Sequence, residues 1–151
     1  MTPDLGRADV VAEARRWIGT PYVHQGSVCG AGADCLGLIR GIWRALHGHE
    51  PEALPAYTPD WGELGQGELG RSELLLAGLM RHLRPAGREA LGDVLVFRMR
   101  TGAIAKHLGL LTQTGAGARF VHAYDRHGVV ESPLSGPWRA RIAARFIFPP
   151  L

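Results

Sequence analysis

The sequence predicts an α+β fold, with helices in its N-terminal part packed on one face of a central antiparallel sheet. Three observations predict it. Apolar residues recur with helical spacing as far as Leu46, the spacing changes to two from Gly92 onward, and the later apolar runs are separated by short turns. Helices first and hairpin-linked strands afterwards is the order of an α+β domain. The 151 residues are enough for one hydrophobic core. We read 1–151 as a single domain with an insertion at about 49–88.

Thr2-Pro3 can open a helix, with proline in its first turn. Val10, Val11, Ala14, Trp17 and Ile18 form its apolar stripe, and Gly19 ends it. Gly19-Thr20-Pro21-Tyr22 is a rigid turn that presents a phenol ahead of a glycine-rich loop, Gly26 to Gly32. A second helix starts at Asp34-Cys35. Its buried stripe is Leu38, Ile39, Ile42, Trp43 and Leu46, its N-cap is Asp34 and its stop is Gly48.

Residues 50–70 are rich in Pro, Gly and Glu and make a long connection, which Tyr57 and Trp61 fasten to the body. Ser72 to Arg84 reads as a third helix, with Leu75, Leu76, Leu79 and Leu83 inward and Pro85 as its stop. Five strands follow. They are Gly92 to Phe97, then a turn at Thr101-Gly102, His107 to Thr112, Arg119 to Tyr124, Val129 to Glu131 and Ala144 to Phe148.

Composition narrows the function. Hydrophobic residues make up 46% and charged residues 21%, the balance of a soluble globular protein, and no apolar run approaches a membrane span. The net charge of +3 is spread along the chain as arginine, with Lys106 the only lysine, so no nucleic-acid partner is expected. The first residues carry no basic stretch followed by an apolar one, which reads as no signal peptide. The two cysteines, Cys29 and Cys35, have the wrong spacing for a zinc knuckle, and a domain of this size has no need of a disulfide.

Taken singly, Cys35 reads as a small buried hydrophobe. Its position says more. In the first turn of a buried helix, unpaired N–H groups and the helix dipole favour a thiolate, which is a nucleophile. Such a nucleophile needs a base. If the strands bearing His107 and His122 form a hairpin symmetric about Thr114-Gly115, paired residue numbers sum to 229 and the two imidazoles are direct cross-strand neighbours. A bulge at Gly117 would spoil that register. His47, His49, His82 and His127 have no comparable context and read as solvent-facing.

These residues resemble the NlpC/P-sixty cell-wall peptidases, a family of small papain-like cysteine hydrolases. The matching motifs are Gly19-Thr20-Pro21-Tyr22, Asp34-Cys35-Leu36-Gly37-Leu38, Gly92-Asp93-Val94, His107-Leu108-Gly109-Leu110 and Val121-His122-Ala123, in the family's order. Two positions depart from it: Leu36 stands for the serine after the cysteine, and Gln25 for one glycine of the loop. The resemblance implies a Cys35-His107-His122 triad without a cofactor or metal. In it His107 is the base, His122 orients it and Tyr22 lends a hydroxyl near the oxyanion or the thiolate. Asp34 would be a helix cap that can also contact substrate.

The implied substrate is a peptidoglycan stem peptide, cut between γ-D-glutamyl and a diamino acid. Leu36 and the long insertion are similar to the branch found in phage tails and gene-transfer particles. On that reading the protein is made in the cytoplasm, joins tail proteins and acts on the periplasmic wall. Two other readings fit the same resemblance: a catalytically silent tail-tip component, and an acyltransferase or amidase on the same fold.

Overall fold

The computed structural model describes residues 3–50, 81–98 and 105–149. Helix α1 spans Pro3–Arg16 and helix α2 Cys35–His47. Between them lies a small hairpin, β1 (Ser27–Val28) with β2 (Gly32–Ala33). The main sheet contains β3 (Arg84–Pro85), β4 (Val94–Arg98), β5 (Ala105–Gln113), β6 (Arg119–Tyr124), β7 (Gly128–Pro133) and β8 (Ile142–Ile147). Its order is β3-β8-β4-β5-β6-β7, with every neighbour antiparallel. A short helix α3, Gly136–Ala140, precedes β8.

The expected α+β architecture is present, with α1 and α2 on one face of the antiparallel sheet. The other face is buried as well. Val94, Val96, Leu108, Leu110, Val121 and Ala123 join Val10, Ala14, Trp17, Leu38 and Ile42 in a core under α1 and α2. Leu95, Phe97, Leu111 and Phe120 form a second core on the other face, covered by Leu134, Ile142 and the Trp138 of α3. The reason lies in the strands themselves. Val94-Leu95-Val96-Phe97 is continuously apolar, the pattern of a strand covered on both faces, where a one-sided strand alternates.

Helix α2 ends as its sequence specifies. Asp34 caps its N-terminus, and Gly48, at φ 84°, closes it in the left-handed conformation. Gly37 is needed for packing: a Cβ there would come within 1.7 Å of the Gly26 carbonyl oxygen. The loop therefore lies directly on the first turn of α2. Ile18, expected in the α1 stripe, is 44% exposed, because the helix stops at Arg16 and the chain turns before reaching it. Val10, Val11, Ala14 and Trp17 are buried as expected.

The Gly92-Asp93-Val94 motif has a structural job. Asp93 is fully buried, and its carboxylate accepts from the Ala90 N–H and from the Arg7 guanidinium, fastening α1 to the start of β4. Burial raises its pKa against those two contacts. Of the segment read as an insertion, residues 81–88 return to the body: Leu83 is buried and Arg84–Pro85 pairs with β8. Pro85 thus follows the helical turn at Arg81 and His82 by entering the sheet. Tyr57, Trp61, residues 72–80 of the expected Ser72–Arg84 helix and the Thr101-Gly102 turn lie outside the described residues; in the described end of that helix only Arg81 and His82 are helical, and Arg84 is corrected to strand because it pairs with β8. Among the described residues, no helix is long and apolar enough to cross a membrane.

Candidate active site

Cys35 is the first residue of α2, half-buried against the core beneath that helix. Asp34 holds the helix start in place and is itself buried. One of its oxygens accepts from the Gly37 N–H at 2.7 Å, and the other accepts from the Gln25 N–H at 2.7 Å. Both carboxylate oxygens therefore organise backbone, one in the helix and one in the loop. Replacing Asp34 by alanine is expected to lower stability by about 2 kcal/mol, because two N–H groups lose their acceptor. A urea-denaturation midpoint equal to that of the parent protein would contradict this role.

Gln25 explains one departure from the family motif. It sits at φ 64°, in the left-handed region that favours glycine, and its N–H bond to Asp34 holds it there. Leu36 explains the other in part: its side chain packs on the core beside Cys35. Cys29 and Cys35 are both free thiols, with Cys29 exposed and donating to the Arg16 carbonyl oxygen at 3.4 Å.

The turn before the loop places Tyr22. The Gly19 N–H donates to the Val129 carbonyl oxygen, the Val129 N–H returns a bond to the Thr20 carbonyl oxygen, and Tyr22 bridges to Ala33. These bonds tie the turn to β7 on one side and to the strand before Cys35 on the other. The Tyr22 phenol is held far above its usual pKa, first by burial and then by the negative charges of Cys35, Asp34 and Asp125. It therefore stays a protonated O–H donor across the neutral range. Its neighbours span two elements, the start of α2 and the residue that follows β6.

That end of the sheet carries the histidines. His107 Nε2 and His122 Nδ1 are 2.9 Å apart in a buried hydrogen bond, and His122 Nε2 lies 3.0 Å from the Ser132 Oγ. His107 and His122 are 7% and 1% exposed. Burial, helped by the charge of His127, pushes the pKa of His122 down to about 4. His122 is therefore a neutral ring at pH 7, with one N–H and one lone pair to offer.

The expected register is corrected. Leu110 pairs with Val121 and Leu111 with Phe120, so residue numbers sum to 231. Continued along the strands, that register sets His107 across from Tyr124 and His122 across from Gly109. The 3₁₀ turn at Gly115–Gly117 and an irregularity between Leu111 and Gln113 take up the difference. A shift of two keeps every side chain on its face, so the imidazoles still meet, as diagonal neighbours. Gly109 leaves them room, since a Cβ there would lie 2.7 Å from the Phe120 ring.

The face on which they meet is set by the rings around them. The histidines belong to the face that carries Phe97 and Phe120, opposite the face that packs on α2. His107 lies 5.7 Å from the Phe97 ring, and His122 lies 4.2 Å from the Phe120 ring. Trp138 of α3 covers the pair, at 5.7 Å from His107 and 5.2 Å from His122. Tyr124 closes the side, 6.0 Å from His107. Sequence reasoning missed Trp138, Tyr124 and Ser132. Ser135-Gly136-Pro137, a helix start with proline in its first turn, was the available signal for α3. His127, read as lacking context, is exposed but stacks on Tyr124 at 5.0 Å. His47 and His82 are half-buried against Trp43, contrary to their solvent-facing reading, whereas His49 is exposed.

Comparison with known proteins places this geometry in context. No family model matches the chain. A probable endopeptidase of Haemophilus influenzae is 26% identical over 136 residues, covering 90% of this chain and 70% of that protein. A gamma-DL-glutamyl hydrolase of Bacillus subtilis is 30% identical over 141 residues, covering 93% of this chain but only 29% of that protein. Among solved structures, a lipoprotein-like member of the NlpC/P-sixty family from Staphylococcus aureus superposes with a TM-score of 0.60 at 20% identity. That match covers 97% of this chain and 42% of the other. The NlpC/P-sixty domain of the peptidoglycan hydrolase SagA gives 0.55 at 23% identity, covering 93% and 97%. A Bacillus cereus member of the same family gives 0.59 at 20% identity, covering 92% and 39%. The chain has the papain-like α+β fold of these domains.

Proposed function

We propose that this protein is an NlpC/P-sixty family cysteine endopeptidase that hydrolyses peptidoglycan stem peptides, at the bond between γ-D-glutamyl and a diamino acid. The observation that carries the reading is the buried 2.9 Å bond between His107 Nε2 and His122 Nδ1. It commits one nitrogen of His107 to an orienting ring and leaves Nδ1 as the atom that exchanges a proton. The names of the two curated relatives, an endopeptidase and a glutamyl hydrolase, support the same chemistry.

Tyr22, acted on by both Cys35 and Asp125, links the start of α2 to the end of β6, where Tyr124 lies beside His107, and this is where the proposed steps take place. In the first, His107 Nδ1 takes the proton of the Cys35 thiol, and Sγ attacks the amide carbonyl carbon. The oxyanion that forms accepts hydrogen bonds from the Cys35 backbone N–H, at the start of α2, and from the Tyr22 hydroxyl. The tetrahedral intermediate collapses as His107 gives its proton to the leaving amine, and a thioester remains. Water activated by His107 then attacks the thioester and releases the acid. His122 stays neutral throughout and accepts the His107 Nε2–H, which fixes the ring while it gains and loses its proton. Asp34 caps the helix that aims the thiol, and contact with substrate is the second role we assign to it.

The experiment is incubation of the purified protein with sacculi, and with a γ-D-glutamyl–diaminopimelate peptide, followed by mass spectrometry of the products. Release of the two peptide halves is expected. Intact substrate after prolonged incubation would overturn the assignment. Leu36 and the long segment at 49–88 further support delivery by a phage-like tail. Tail-like particles purified from the source cell should then contain this chain by peptide mass fingerprint, and particles lacking it would remove that part of the proposal.

A further inference from the structure

The geometry points to Ser132 as a positioning residue that sets the proton arrangement of the histidine pair, and so the basicity of His107. The inference rests on the reading of His107 as the base. Ser132 lies on β7, where Phe120 is its cross-strand partner and Val130, two residues earlier, faces His122. It therefore shares a face with His122, and its Oγ is 3.0 Å from His122 Nε2. The other nitrogen of His122 is bonded to His107. Among the described residues, the run His107–His122–Ser132 crosses three consecutive strands.

Two arrangements satisfy these distances. In one, His107 Nε2–H donates to His122 Nδ1, and His122 Nε2–H donates to the Ser132 Oγ. In the other, every donor is reversed: the serine hydroxyl donates to His122 Nε2, and His122 Nδ1–H donates to His107 Nε2. The second arrangement puts the proton of neutral His107 on Nδ1, where no lone pair is left for a thiol proton. It also fails once His107 is protonated, because two N–H groups would then face each other across 2.9 Å. Only the first arrangement serves both states of the base. It requires an acceptor at His122 Nε2, buried beneath Trp138, and Ser132 supplies it.

The neighbouring acid cannot take over that service. Glu131 is turned to the other side of β7, where it accepts from Arg15 and Thr112. Removing the Ser132 hydroxyl would leave a buried N–H without this acceptor whenever His107 is charged. The neutral pair would then relax to the reversed tautomers. Turnover should fall through kcat with KM little changed, since the hydroxyl faces histidine and not substrate.

The test is nitrogen-15 NMR of histidine-labelled protein at pH 7.5, combined with kinetics on the γ-D-glutamyl–diaminopimelate peptide. In the parent protein both His107 and His122 are expected to carry their proton on Nε2. In Ser132→Ala, His122 should move toward the Nδ1–H form and kcat should drop about tenfold, the effect of losing one hydrogen bond that strengthens when its partner ring is charged. Ser132→Thr, which keeps a hydroxyl and suits a strand, should restore both. A parent protein with His122 protonated on Nδ1 would overturn the inference, and so would a Ser132→Ala variant with unchanged tautomer and kcat. The tautomer reading needs no turnover, so it separates failure here from failure of the hydrolase assignment, which would appear as no cleavage by the parent protein.

Discussion

Cys35→Ala is expected to abolish cleavage of the γ-D-glutamyl–diaminopimelate peptide, and His107→Ala to lower kcat/KM by roughly a thousandfold or more. Cys35 supplies the only covalent bond the protein makes to substrate in the proposed reaction, so no neighbour can take over its role. His107 supplies the proton transfers on both sides of the intermediate. The two act as one unit, so the double variant should be no slower than Cys35→Ala alone. His122→Ala should fall between, at roughly a hundredfold, because His107 keeps its nitrogen but loses the partner that orients it. Each variant is compared with the parent protein by initial rate and by thermal midpoint. A Cys35→Ala variant with measurable turnover, or a His107→Ala variant within about tenfold of the parent, would defeat the nucleophile–base assignment.

Thiol labelling gives an independent view of the same pair. Iodoacetamide should modify Cys35 faster than Cys29 in the parent protein, although Cys29 is the exposed thiol and Cys35 the half-buried one. Accessibility alone would give the opposite order. The inversion depends on proton transfer to His107, so His107→Ala should remove it.

What the sequence made legible was local and periodic. Asp34 as N-cap, Gly48 as stop and the buried stripe of α2 follow from helix rules that involve no distant contact. The candidate residues were equally readable, since a cysteine at a helix start and two histidines on successive strands are visible without a fold. The histidine contact survived an error in register, because strands tolerate a slip of two without exchanging faces. The size of the slip was hidden in the loop. The Gly115–Gly117 turn folds into 3₁₀ geometry instead of a tight two-residue hairpin, and Thr112 falls at the irregularity it causes.

The second core was less legible because it is built from contributions far apart in the chain. Trp138 comes from a five-residue helix too short to show a period, and Ser132 adjoins a proline that reads as a strand end. In the fold, Pro133 is tolerated because β7 is an edge strand, which extends the strand past Ser132 and brings its hydroxyl to His122. Asp93 shows the converse case. Its motif resembles part of the cell-wall peptidase pattern, and its burial with Arg7 and Ala90 gives it a role in joining α1 to the sheet.

Acidification from about pH 7 to about pH 5 should destabilise the protein by about 2 kcal/mol through His122 alone. The folded ring has its pKa pushed down to about 4, while in the unfolded chain the same ring titrates near 6.5. Between those values the unfolded state binds a proton that the folded state refuses, so stability falls as pH falls through that window. Well above pH 6.5 neither state is protonated and the term vanishes; well below about pH 4 both are, and it stops growing. Glu50, Glu89 and Glu131 have lowered pKa values, and their stabilising contributions are lost only at more acid pH. Asp93, raised by burial, works in the opposite sense, and His47 in the same sense as His122. His122→Asn removes one titrating group and leaves these others in place. The measurement is therefore the difference in urea-unfolding free energy between the two pH values, taken for the parent protein and for His122→Asn. The parent should lose about 2 kcal/mol more than the variant. Equal losses would mean that His122 accepts a proton as readily in the fold as in the open chain. A buried neutral acceptor beside His107 would then be the wrong description of the pair.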